Sequence, residues 1–87
     1  MYDNTALINH IEKRKQATIL ENAYRMAENK GALLLDTEFM YWDCLVVVAE
    51  WQGSFVTWKT NGNGFSNGHY LASYDEAMAD FNERLNG

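Results

Sequence analysis

Eighty-seven residues, 47% hydrophobic and 14% aromatic, hold enough apolar mass for one packed domain over 1–87 and too much for a disordered chain. The net charge of −5 argues against general nucleic-acid binding, because duplex affinity comes largely from Lys and Arg neutralising phosphates. The single Cys44 cannot close an internal disulfide, no cationic leader precedes an apolar segment, and no apolar stretch approaches the roughly 18 residues of a membrane span, so a soluble, cytoplasmic protein is expected.

Residues 4–29 contain neither Gly nor Pro and are rich in helix formers, with Asp3, Asn4 or Thr5 available as N-cap and Gly31 as the stop. The apolar positions do not form one stripe. Leu7, Ile8 and Ile11 cluster on one side, whereas Ile19, Leu20, Ala23, Tyr24, Met26 and Ala27 centre roughly 130° away. Between the groups lies the polar block Glu12 to Gln16. Either the helix bends, or its first two turns pack on something else, such as a second copy of the chain.

Residues 43–51 are rich in β-branched and aromatic types and read as a central strand. Leu45, Val47, Ala49 and Trp51 fall on one face, and Cys44, Val46 and Val48 on the other. A short turn at 52–54 returns the chain as an antiparallel strand over 55–60. Residues 33–40 either extend from the helix exit or form a strand that pairs ahead of Tyr41. Asn61-Gly62-Asn63-Gly64 is a strong hairpin signal, followed by a shorter strand over 65–72 with Asn67-Gly68 as a bulge. In the last segment, Ser73 and Glu76 form a capping box. Tyr74, Ala77, Met78, Phe81 and Leu85 repeat at helical spacing behind it. The expected fold is α+β: an N-terminal helix, a three- to four-stranded antiparallel sheet, and a C-terminal amphipathic helix, with the helices on the sheet.

Charge is distributed unevenly along this plan. The first thirty residues carry four acids and five bases, and the rest carry eight acids against only Lys59 and Arg84. Glu76, Asp80 and Glu83 share one side of the last helix, with Asp75 beside them. Such a row either solvates the helix and suits its dipole or grips an Arg/Lys cluster on a partner, imitating a phosphate backbone as a DNA mimic. Asp43 and an exposed aromatic such as Trp42 would assist as anchors. The basic run Lys13-Arg14-Lys15 is either a solvated face or, with Leu7, Ile8 and Ile11, a self-association site.

Catalytic signals are weak. The glycines Gly62, Gly64 and Gly68 lack the Lys-Ser/Thr of a phosphate loop, and a strand rather than a helix follows them. His10 and His69 are the candidate bases near neutral pH, and sequence spacing does not bring Cys44 to His69. Asp36, Glu38, Asp43 and His69 offer no recognised metal-ligand spacing. No cofactor or metal is expected, nor an enzyme.

The ending from Gly68 to Phe81, a strand running into a capped amphipathic helix, resembles the tails of small proteins of phages and other mobile elements. In size, acidity, α+β order and lack of catalytic motifs the chain also resembles the anti-CRISPR proteins. That resemblance implies a stoichiometric inhibitor in the host cytoplasm, docking on a CRISPR effector at its cationic channel or at the arginines that read the short DNA motif beside the target. The class shares no motif, so it assigns no residue a role. The leading expectation is a non-enzymatic acidic protein that blocks a basic, nucleic-acid-binding surface of a protein partner. The alternatives are a homodimeric structural or regulatory module, and a small enzyme or ligand-binding domain using Cys44 and His69.

Overall fold

The structure, a computed structural model, describes the backbone of residues 5–87 and the side chains of residues 8–87. The side chains of the N-cap candidates and of Leu7 lie outside that range. The element order is α1 (Thr5–Lys30), β1 (Leu33–Tyr41), β2 (Cys44–Trp51), β3 (Ser54–Thr60), β4 (Phe65–Leu71) and α2 (Tyr74–Asn86). The strands form one antiparallel sheet in sequence order, β1-β2-β3-β4. Residues 33–41 are therefore a full edge strand.

β2 alternates as its sequence predicts, and both of its faces are covered. Leu45, Val47 and Ala49 pack with Val56 and Trp58 beneath Ile19 and Ala23 of α1. Val46 and Val48 pack beneath Ala77 and Phe81 of α2. The sheet is thus the middle layer between two helices. Five consecutive residues, Leu45 to Ala49, are buried because neither face of this strand meets water.

α1 is one continuous helix despite its divided apolar pattern. It runs unbroken for 26 residues, about 39 Å, whereas the strands of seven to nine residues reach about 23–30 Å. The second half docks through Ile19, Ala23 and Ala27, where two alanines let the backbone come close to the sheet. Glu12 and Gln16, at i−7 and i−3 from Ile19, continue that line only as half-buried polar groups. The helix overhangs the sheet, and Ile8 and Ile11, on turns ahead of the docked half, stay 53% and 45% exposed. The overhang stretches the molecule to 55 × 28 × 17 Å and its radius of gyration to 14.5 Å, against about 12 Å for a compact chain of this length.

The C-terminus of α1 is fixed twice. Gly31 and Ala32 donate backbone bonds to Glu28 and Ala27 in a Schellman arrangement. The indole Nε1 of Trp51 donates to the Lys30 carbonyl at 3.0 Å. The Lys30 ammonium then lies over three rings, 4.4 Å from the Trp51 centroid, 4.5 Å from Trp58 and 5.7 Å from Phe65. Lys30→Met keeps most of the stem and removes the charge. We expect a loss of about 1 kcal/mol, or about 4–8 °C in Tm for a domain this small, in thermal melts followed by circular dichroism. An unchanged Tm would reduce the contact to stem packing alone.

β4 carries the expected bulge. Thr57 pairs with His69 and Lys59 with Ser66, so Asn67 and Gly68 together face Trp58. Asn67 takes positive φ, and a Cβ at Gly68 would stand 3.0 Å from the Trp58 indole nitrogen. The extra residue makes room for Trp58, which is 2% exposed and stacks on Phe65 at 4.7 Å. Among the tryptophans Trp58 is the deeply buried one, whereas Trp51, on the same strand face as Leu45 and Val47, is half-buried against that core. Trp51 sits at the end of β2, under the last residue of α1.

Candidate functional site

Ser73 caps α2, its hydroxyl accepting from the Glu76 amide at 3.1 Å, and the Glu76 carboxylate reaches back to the Ala72 amide at 3.2 Å. Ala77 and Phe81 then face the sheet, which sends Asp75, Glu76 and Glu83 outward into solvent. Asp80 behaves differently. It stands on the flank of the apolar face nearest β4, and its side chain, 19% exposed, turns inward onto three partners. The Thr57 hydroxyl, fully buried on β3, donates to Oδ2 at 2.5 Å. His69 Nδ1 on β4 lies 2.9 Å from the same oxygen, and Arg84 Nε one helical turn on donates at 3.2 Å. Arg84 also donates to the Asn67 carbonyl, tying α2 to the β4 bulge.

These contacts decide the protonation of Asp80. Burial pushes its carboxyl up, but the hydrogen bonds from Thr57, His69 and Arg84, with the charge of His69, outweigh burial and hold the pKa below the ordinary aspartate value. Asp80 is therefore a clamp between helix and sheet, and the outward row is Asp75, Glu76 and Glu83.

Strand register extends that row. Asp36 pairs with Val48 and Glu38 with Val46, the residues beneath α2, so both carboxylates lie on the α2 side of the sheet. Glu50 pairs with Phe55 of the same cluster. Six exposed carboxylates, Asp36, Glu38, Glu50, Asp75, Glu76 and Glu83, thus occupy one side of the molecule. The bases on that side are Lys59, half-buried opposite Val46, Arg84, whose side chain is 7% exposed and bound to Asp80, and His69, held against the same carboxylate. The opposite layer, α1, carries Lys13, Arg14, Lys15, Arg25 and Lys30 against Glu12, Glu21 and Glu28. The imbalance along the chain has become a polarity across the sheet.

Two of the anticipated partner residues fall elsewhere. Trp42 and Asp43 form the β1–β2 turn and line a groove under the overhang of α1, where the Lys15 ammonium stands 5.3 Å from the Trp42 ring centroid. Trp42 is 44% exposed, and Tyr41 beside it is more so. His69 and Cys44 are not brought together. His69 is level with Val48 through Thr57, whereas Cys44 lies four residues further along β2, about 13 Å, and two strands away. Among the described residues no three His, Cys, Asp or Glu side chains gather as a metal site would require, and no described helix is long and apolar enough to cross a membrane.

The Asp80 clamp was within partial reach of the sequence. Its i,i+4 spacing to Arg84 is visible there, but the convergence of Thr57 and His69 depends on strand register. Comparisons with family models, with curated proteins and with solved structures returned no match.

Proposed function

We propose that this chain is a non-catalytic acidic binding protein whose α2 side covers a basic, nucleic-acid-binding surface of a protein partner. The observation that carries the reading is the side bearing six exposed carboxylates, where Lys59 is half-buried and Arg84 and His69 are both held by Asp80. Such a field steers encounter with a cationic cleft and repels nucleic acid, and its carboxylates can take the place of phosphates against arginine. The partner class that fits is an effector with a cationic nucleic-acid channel, an RNA-guided nuclease of a bacterial defence system included, met in the host cytoplasm.

The test is competitive. Purified RNA-guided nucleases holding labelled target DNA are titrated with this protein, and bound DNA is read by gel shift. The wild type should displace DNA, less effectively as salt rises. The Asp36→Lys, Glu38→Lys, Glu83→Lys variant leaves the capping box and the Asp80 clamp intact, and it should lose at least about tenfold in potency. Displacement that ignores salt, or survives the triple reversal, would remove the electrostatic reading.

A second reading, a self-associating module, is favoured by Ile8 and Ile11 on the overhang beside Lys13, Arg14 and Lys15. Sedimentation of a monomer at high micromolar concentration would dismiss it.

A further inference from the structure

The overhang of α1 leaves a groove at the sheet end formed by the β1–β2 turn and the β3–β4 loop. Its volume is about 520 Å³, within the range of about 300–1,000 Å³ typical of small-molecule sites. Arg14 and Lys15 line one side from the helix, Trp42 and Asp43 close the near end, and Asn61 and Asn63 face them from the loop. Ile11 and Ile19 give the groove apolar walls.

The loop is held in place. The Gly62 amide donates to Thr60 Oγ1 at 2.9 Å, and the Asn63 amide to Asn61 Oδ1 at 3.1 Å. Gly62 itself takes φ +99 and approaches α1 so closely that a Cβ there would meet the Ile19 Cα at 3.4 Å. The loop side of the groove is therefore held by its own hydrogen bonds and by its approach to α1.

We propose that this groove binds a nucleoside monophosphate. The partly bare Trp42 indole offers a stacking surface for a flat heterocycle. Arg14 and Lys15 make no ion pair among the described residues and can take the phosphate, Arg14 with two parallel donors. The carboxamides of Asn22, Asn61 and Asn63 each carry both a donor and an acceptor group, the combination a base edge presents. Asp43 leaves the groove with one excess positive charge and a carboxylate suited to ribose hydroxyls. The two cations suit one phosphate monoester, about −1.5 to −2 at neutral pH, and not a polyphosphate strand, in keeping with the acidity of the rest of the chain. The site lies on the α1 side, away from the six exposed carboxylates, so it stands or falls independently of the partner-binding proposal.

The experiment is a titration of the ¹⁵N-labelled full chain with AMP, GMP, CMP and UMP, alongside adenosine and inorganic phosphate. At least one monophosphate should shift the Trp42 indole and the Asn61 and Asn63 signals saturably, with adenosine and phosphate at least about tenfold weaker, since each supplies half of the contacts. Arg14→Gln with Lys15→Gln, and separately Trp42→Leu, should each weaken binding about tenfold or more while circular dichroism stays unchanged. No saturable shift at about 10 mM nucleotide, equal binding of inorganic phosphate, or unchanged affinity in both variants would overturn the assignment.

Discussion

Replacing Phe81 with alanine should cost about 3–5 kcal/mol, the largest loss expected from a single side chain on α2. Phe81 and Ala77 are the helix's two buried residues, and Ala77 contributes little area. Phe81 fills the space over Val46 and Val48, bounded by Met40, Phe55, Leu71, Met78 and Leu85. The thirteen-residue helix is too short to hold itself in water, so its structure depends on this anchor. A domain of 87 residues has a total stability of roughly 4–13 kcal/mol, so the variant should lose a large share of it. Urea titration at 25 °C reads the loss. Phe81→Leu, which refills most of the space, should cost about 1–2 kcal/mol. A loss below 1 kcal/mol in Phe81→Ala would mean that α2 is not seated as described.

The second large effect is at Asp80. Asp80→Ala leaves the fully buried Thr57 hydroxyl without its acceptor and the nearly buried Arg84 guanidinium without its carboxylate partner, and should cost about 2–4 kcal/mol. Asp80→Asn keeps the shape and one acceptor oxygen and should cost about half as much. The charge gives this contribution a pH signature. The folded-state pKa of Asp80 is depressed relative to the unfolded chain, so its stabilisation is complete above about pH 4 and is lost as pH falls through the lower, folded value. Denaturant melts of wild type and Asp80→Asn should therefore differ at pH 7 and converge toward pH 2. A constant gap across that range would show that the carboxylate's charge contributes nothing.

Much of the fold is legible in the residues themselves. The capping box at Ser73 and Glu76, the alternation from Cys44 to Trp51 and the turn at Asn61 to Gly64 are local signals, and each became the expected element. The divided apolar pattern of α1 carried real information too. It marked the overhang, where the sheet ends and the helix continues. Less legible was anything that depends on register. On a helical wheel Asp80 belongs with Glu76 and Glu83. Only the placement of Thr57 and His69 across β3 and β4 turns its side chain inward. Trp42 and Asp43 adjoin β2 in sequence, yet the turn aims them at α1 and away from the acidic side. Conversely Asp36, Glu38 and Glu50, scattered in sequence, come to one side because each pairs with a residue of the α2-facing set.

The irregular strands are the two outermost ones. β1 departs from regular pairing at Leu35 and Met40, and β4 at Asn67–Gly68, whereas β2 and β3 pair without interruption. A bulged, twisted margin is a poor template for another chain's backbone, and the Asp36 and Glu38 carboxylates on β1 add repulsion. Strand exchange, fibrillar stacking and recognition by strand addition are all disfavoured at both margins of this sheet. Side chains, rather than a free strand backbone, are what these margins present to another chain.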